Sequence, residues 1–326
     1  MTRNLELKSI KKDQFKQACT VMVIGFFDGV HMGHQRILNI CNARSREEKG
    51  LSAALTFDKP PLNILKKQMY KKLILPYKEK IRIMESLGID IIVTAEIGME
   101  FLNLSPEEFC DDILIGLFNI KELFIGKGFR FGRGGCGDVG FLKKYLGARR
   151  IKVNEVSLIE SRGEVVSSTV IRRYYLEGDI KRVKELLGRD PYIIGKVIRG
   201  AGRGRKPGYP TANIDVCDSL IVPGDGVYFG KISIGKKNAG EIPALINIGD
   251  NPTFGGSKKW VESHMLDFNG NIYGEDIRIT FLKKLRKEIR FKNGEGLIEQ
   301  IKKDIADARI FFKKNTKNSN ETFLIH

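Results

Sequence analysis

VMVIGFFDGVHMGHQRILNICNARS, residues 21–45, opens with four apolar, largely β-branched residues and ends in a helical pattern. The apolar run at 21–24 reads as a strand buried on both faces in a parallel sheet. Gly25, Gly29 and Gly33 then punctuate the turn into the helix. Strand, glycine turn and helix together make an anion site: glycine lets the backbone approach a phosphate, and the helix start offers unpaired N–H groups and the positive end of its dipole. His31 and His34 stand at that helix start, one turn apart on a helix face, where both can donate to one phosphate. Zinc is the rival ligand, but the metalloprotease pattern spaces its histidines at i, i+4 with a glutamate between, and Met32 and Gly33 supply none.

The chain has 326 residues, enough for two domains of ordinary size, and at 42% hydrophobic and 29% charged its composition is globular. No stretch approaches a membrane span and MTRNLELKSIKK has no apolar signal core, so a cytoplasmic location is expected. Five scattered cysteines without a CxxC pair argue against a disulfide framework and a structural zinc site. The formal charge of +17 suits nucleic acid, an anionic membrane surface or polyphosphate ligands. Its lysines, however, are spread along the whole chain with little aromatic interleaving.

LSAALTF (51–57) reads as a second buried strand closed by the breaker DKPP, and residues 75–97 give a helix with Ile81, Met84 and Leu87 on one face, then a third strand from Ile89 to Ala95. Ser105, Pro106, Glu107 and Glu108 form a helix start, for a helix through about Leu117. KELFIGKGFRFG (121–132) is a fourth strand running into a basic glycine loop. Strands alternating with helices predict a doubly wound parallel sheet with its ligand site at the carboxyl ends of the strands. VSSTVIRR (166–173) places hydroxyls before a helix that Gly178 stops; Asp179 caps a shorter helix that Gly188 ends.

The boundary is expected at 188/189. Beyond it, short β-rich runs separated by glycine turns predict an antiparallel barrel or sandwich, with a last amphipathic helix at 297–312 and a polar tail expected to fray. In GKVIRGAGRGRKPGYPTANIDV (195–216), glycines can form a flap over phosphates while Arg203, Arg205 and Lys206 supply charge. Thr211 and Asn213, two apart on an extended segment, share a face as oxygen ligands for magnesium need. Taken without PTAN, GRGRK also fits a nucleic-acid loop.

GFFDGVHMGHQ is similar to the HxGH nucleotidyltransferase signature, and in its GxFDGVHxGHQ form it resembles the bacterial bifunctional riboflavin kinase/FMN adenylyltransferase family, or FAD synthetases. GKGFRFG resembles that family's GxDFRFG loop, with Gly128 where an aspartate is usual; SSTVIR resembles its SSTxIR motif; and PTANI, followed by GVYFGKI, INIGDNPTFGG and WVESH, resembles the riboflavin kinase signature. The DKPP loop departs from the family's histidine-proline there. The resemblance implies a Rossmann-like α/β module (1–188) that adenylylates FMN with ATP to FAD and pyrophosphate, and a barrel module (189–326) that phosphorylates riboflavin to FMN. It implies His31 and His34 in adenylyl transfer. Nucleotide or phosphate contacts are implied from Gly25, Phe27, Asp28, Gly29, Gly33, Arg130, Ser168, Thr169 and Arg172, and from Gly202, Arg203, Arg205 and Gly208. In the kinase it implies Glu262 as general base, Thr211 and Asn213 on Mg2+, and Arg286 on the flavin side. Riboflavin, FMN, FAD and ATP are the expected partners, with no nucleic acid, no membrane and the oligomeric state open. The competing readings are a reassigned adenylyltransferase and a basic nucleic-acid binder.

Overall fold

A computed structural model of the chain describes residues 2–12, 14–60, 72–199, 209–235, 240–250, 259–289, 291 and 293–322, with side chains up to 315 at the C-terminal end. Gly202, Arg203, Arg205 and Gly208 lie outside the described residues. Two compact units divide the chain, Met1–Ser168 and Thr169–His326.

In the first unit, strands β1 (Arg3–Glu6), β2 (Thr20–Ile24), β3 (Leu51–Phe57), β4 (Ile91–Ala95), β5 (Ile120–Gly126) and β6 (Lys152–Val156) form one sheet in the order β1-β4-β3-β2-β5-β6. Every pairing in it is parallel. Helices α1 (Met32–Glu47), α2 (Tyr77–Ser86), α3 (Met99–Asn103), α4 (Pro106–Glu108, continuing as wider π-type turns over Phe109–Leu117) and α5 (Val139–Gly147) connect them. Val21 and Val23 join Leu38, Cys41 and Met84 in a core on one face, while Met22 and Ile24 join Leu55, Ile91 and Phe109 on the other. Double coverage is why β2 reads as a continuous apolar run rather than an alternating one. Two edge strands escape the sequence pattern: β1 is largely exposed, β6 has no fully buried residue, and both are partly polar. The predicted start at Ser105 is a full capping box, its Oγ accepting from the Glu108 N–H at 3.1 Å and Glu108 Oε2 from the Ser105 N–H at 2.7 Å.

The strand after α2 begins at Ile91 rather than Ile89. Between β6 and the second unit, a short hairpin pairs β7 (Glu160–Ser161) with β8 (Glu164–Val165).

Helix α6 (Ser168–Glu177) starts at the last residue of the first unit; the second unit carries the rest of it, α7 (Ile180–Leu187), capped by Asp179 and ended by Gly188 in the left-handed region, and a closed barrel. Strands β9 (Tyr192–Ile198), β10 (Ala212–Val216), β11 (Gly226–Ile234), β12 (Ile242–Asp250), β13 (Lys259–Met265) and β14 (Asp276–Arg286) close it in the order β10-β13-β12-β11-β14-β9, every pair antiparallel. Tyr228, Ile246, Ile248 and Val261 fill its interior. Alternate residues point outward, and there Val227, Phe229 and Leu245 pack under α8 (Gly294–Thr322), with Phe229 stacked on Phe311 at 4.4 Å. The helix thus lies on the outside of the barrel, and its backbone continues as far as Thr322, into the tail that was expected to fray.

Candidate functional site

The chain order of the first sheet reverses between β2 and β5, and a cavity of about 330 Å³ opens there. It is lined by Ile24 at the end of β2, Gly25 and Phe27 after it, His31, Gly33 and His34 at the start of α1, residues 126–129 at and after the end of β5, and residues 156–159 and 166–168. A doubly wound sheet puts its ligand at this switch point because loops diverge from adjacent strand ends. The turn into α1 is tightly built. Phe27 and Val30 adopt φ of +55° and +37°, and Gly29 φ of +77°. A left-handed backbone at a β-branched valine is strained, as loops at functional sites often are. A Cβ on Gly25 would stand 2.9 Å from the Phe27 ring, so only glycine leaves that ring its place. Asp28 is buried and structural in its contacts: Oδ1 accepts from the Ile74 N–H at 3.0 Å, and its carbonyl accepts from Ser168 Oγ at 3.0 Å.

His31 is the N-cap of α1, its Nδ1 accepting from the His34 N–H at 3.3 Å, which puts the His31 proton on Nε2. The two imidazoles stack with centroids 3.6 Å apart and planes at 18°, and Phe27 meets His34 edge-on at 5.3 Å. His34 is held well below its ordinary pKa by burial, then by His31 and by the positive charge of Lys80. Its Nδ1 is buried without a partner. With Nδ1 engaged in His31 and buried in His34, Nε2 is the other ring nitrogen of each. Of the second glycine loop, Gly126, Lys127, Gly128 and Phe129 line the cavity. Arg130 does not; its side chain is 61% exposed, 3.4 Å from Asp138. Gly128 holds φ of +77° with open space where a Cβ would be, so the position where the resembled pattern has aspartate needs a residue tolerant of the left-handed region.

On the barrel the strand register produces a row. Asn213 of β10 is paired with Glu262 of β13, Glu262 with Asn247 of β12, Asn247 with Val227 of β11, and Val227 with Arg286 of β14. Cross-strand partners point to the same face, and Val227 packs under α8, so this row runs around the outside. Asn213 is 5% exposed and its Oδ1 is buried with no partner, an oxygen left over in the protein itself. Thr211 directly precedes β10. Arg286 is engaged elsewhere: it grips Asp304 of α8 in a bidentate pair, Nε to Oδ1 at 3.0 Å and Nη2 to Oδ2 at 2.6 Å, and Gln300 donates to the same carboxylate at 2.8 Å. Among the described residues no cluster of three His, Cys, Asp or Glu could hold a metal ion.

A family model described as FAD synthetase matches residues 13–170, and one described as riboflavin kinase matches residues 187–312. A bifunctional riboflavin kinase/FMN adenylyltransferase of Listeria monocytogenes is 36% identical over 310 residues, covering 94% of this chain and 96% of that protein. The chain belongs to the bifunctional riboflavin kinase/FMN adenylyltransferase family. The protein of the same description from Buchnera aphidicola is 38% identical over 294 residues, covering 89% of this chain and 93% of that one. A crystal structure from Streptococcus pneumoniae, described as a macrolide-efflux protein, superposes with a TM-score of 0.83 at 29% identity over 94% of this chain and 98% of that one. No helix among the described residues is long and apolar enough to cross a membrane. The protein is therefore a bifunctional enzyme of flavin cofactor biosynthesis, a FAD synthetase joined to a riboflavin kinase.

Within this FAD synthetase, the structure gathers Gly25, Phe27, Gly33, His31, His34 and Ser168 around one cavity; Asp28 and Gly29 belong to the same turn but do not line it. Thr169 and Arg172 follow Ser168 on α6. In the riboflavin kinase, Asn213, Glu262 and Arg286 share one row. Sequence reasoning missed Asn247, which enters only through register, and Lys127, read as part of a loop rather than as a cavity residue. It also missed Lys80, whose place on the Ile81–Met84 helix was a readable signal: it stands four residues before buried Met84.

Proposed function

We propose that residues 1–188 carry FMN adenylylation and residues 189–326 riboflavin phosphorylation, with the residue roles that follow. In the first step an FMN phosphate oxygen attacks the α-phosphorus of ATP, and pyrophosphate leaves. No protein nucleophile is needed, so the protein's part is alignment and stabilisation of phosphate charge. His31 and His34 donate from Nε2 to the phosphates, His34 as a neutral imidazole because burial, His31 and Lys80 disfavour its charged form. The N-terminus of α1 adds its unpaired N–H groups. Gly25, Phe27 and Gly33 shape the cavity, Asp28 and Gly29 fix its turn, and Ser168, Thr169, Arg172 and Arg130 close on the ATP phosphates.

In the second step the terminal ribityl hydroxyl of riboflavin attacks the γ-phosphorus, Glu262 takes its proton, and ADP leaves. The observation supporting these roles is the pairing of Glu262 with Asn213, whose buried Oδ1 has no partner in the protein. Thr211 and Asn213 fit a hard cation through a hydroxyl and an amide oxygen, and Mg2+ held there would neutralise charge on the ATP phosphates. Gly202, Arg203, Arg205 and Gly208, outside the described residues, are the remaining phosphate contacts of this reading. Arg286 serves the flavin side by fastening α8 through Asp304. ATP, riboflavin and FMN are cytosolic solutes, and five free cysteines accord with that compartment.

The test is chromatographic separation of flavins after incubation of the full chain with riboflavin, ATP and Mg2+. The wild type is expected to give FMN and then FAD. Glu262→Gln is expected to abolish FMN formation and leave adenylylation of supplied FMN intact. Unchanged kinase activity in that variant overturns the assignment of Glu262.

A further inference from the structure

Lys80 of α2 is only 4% exposed, yet it ends on three neutral acceptors: the Phe26 carbonyl at 3.1 Å, Thr56 Oγ1 at 3.1 Å and the Phe57 carbonyl at 2.8 Å. Those three use every proton of the ammonium. Its Nζ also lies 4.6 Å from the centre of the Phe26 ring and 5.4 Å from that of Tyr77. The charge is therefore desolvated without a hydrogen-bonded carboxylate, an arrangement that costs stability relative to a neutral side chain. The groups facing it are Asp28 after β2, Asp58 after β3, His34 on α1 and Tyr77 on its own helix. Phe26 sits between Gly25 and Phe27, both of which line the cavity, while Thr56 and Phe57 end the neighbouring strand. The ammonium thus fastens the turn that builds the cavity to the end of β3, and its charge reaches His34.

We propose that Lys80 is a positioning residue for adenylyl transfer, fixing the 25–27 turn through the Phe26 carbonyl and holding a desolvated positive charge beneath the phosphate end of α1. A buried cation placed before the reaction stabilises charge developing on the phosphates without reorganisation. This deepens the adenylyl-transfer reading above and rests on it. Burial pushes the Lys80 ammonium down to about 8, partly offset by Asp28 and Asp58. Deprotonation removes the charge, so adenylyl transfer should decline as pH rises through that value.

The experiment measures kcat and KM for FAD formation from FMN and ATP across pH 6–10 with the full chain, using phosphorylation of riboflavin by the same preparation as the control for folding. Lys80→Gln is expected to lower kcat for adenylyl transfer at least tenfold at neutral pH, to leave the kinase rate unchanged and to lose the alkaline decline near 8. Lys80→Arg, which stays protonated, is expected to retain more activity than Lys80→Gln and to move that decline upward. Wild-type kcat in Lys80→Gln, or a uniform loss in both variants with the wild-type pH profile, overturns the role of Lys80. Absence of FAD formation by the wild type, with FMN still made, instead overturns the adenylyl-transfer reading on which it rests.

Discussion

Asp304→Asn tests whether the barrel and its outer helix are held by the Arg286 pair. Both hydrogen bonds of the bidentate pair are within 3.0 Å, Asp304 is 4% exposed as a residue, and the side chains are 20% and 6% exposed for Arg286 and Asp304. Removing one partner of a buried ion pair costs about 3–5 kcal/mol; the partly exposed guanidinium and the acceptor oxygen that asparagine retains reduce this to about 2–3 kcal/mol. For a unit of this size each kcal/mol moves the melting temperature by about 2–4 °C, giving a fall of about 4–12 °C. Calorimetry of the full chain would follow the transition that bound riboflavin raises, since a ligand of the folded state identifies its own unit. Riboflavin KM should rise in parallel, because α8 packs beside the row that carries Glu262. Arg286→Met with Asp304→Leu should recover most of the lost stability, since it leaves no uncompensated charge. A shift below 1 °C in Asp304→Asn refutes the fastening role, and unchanged KM in a destabilised variant separates that role from the flavin side.

Two further outcomes concern the first unit. His34 is depressed below its ordinary 6.5, so the unfolded chain binds a proton that the folded one refuses; its stabilising contribution is present above about pH 6.5 and is lost as pH falls below it, by up to about 1.4 kcal/mol per pH unit. Urea midpoints of the wild type and His34→Gln at pH 7.5 and 5.5 check this, and equal slopes would contradict it. Gly25→Ala places a Cβ 2.9 Å from the Phe27 ring, which must move away from His34; adenylyl transfer should fall by about tenfold or more while riboflavin phosphorylation stays unchanged, as product chromatography would show.

The parts of this fold that could be read from sequence are those whose signal is local. The β2 run, its glycine turn and the start of α1 lie within a few residues, and the Asp179 cap and Gly188 stop of α7 are set by their own backbone geometry. The barrel was legible as a texture of short strands, but its closure and order are relations between distant segments. Asn247 shows the difference. Nothing in INIGDNP marks that residue, and only the pairing of β12 with β13 sets it beside Glu262. Edge strands β1 and β6 bury too little to leave an apolar pattern. Arg130 shows what a motif leaves unspecified, since its glycine loop names the cation but not its direction, and here the side chain lies 3.4 Å from Asp138 while its neighbours line the cavity. Lys80 and Asp304 were hidden by residue type: each stands four residues before a buried helix position, Met84 and Ala308, on the stripe assumed to be apolar.

On the roles proposed above, the two units neutralise polyphosphate from opposite starting points. In a parallel sheet with helical crossovers, strand ends and helix N-termini gather on one side, so in the proposed adenylyl step the first unit offers a phosphate backbone donors from α1 and two imidazoles, with the buried Lys80 charge behind them. An antiparallel barrel has no such convergence of dipoles, because neighbouring strands run in opposite directions. Its row offers two amides and a carboxylate, Asn213, Asn247 and Glu262, and the row's one cation, Arg286, is already held by Asp304. Such a face repels phosphate unless a cation comes with it, which is why oxygen ligands at Thr211 and Asn213 are the chemistry expected there. The same reasoning separates the two reactions in solution: removal of divalent cation should stop phosphorylation through this row, whereas Lys80 and the histidines keep the first unit able to bind ATP with reduced affinity. Equilibrium binding of ATP to Glu262→Gln in the presence of chelator checks it, and complete loss of binding would show that the first unit's own charges are insufficient.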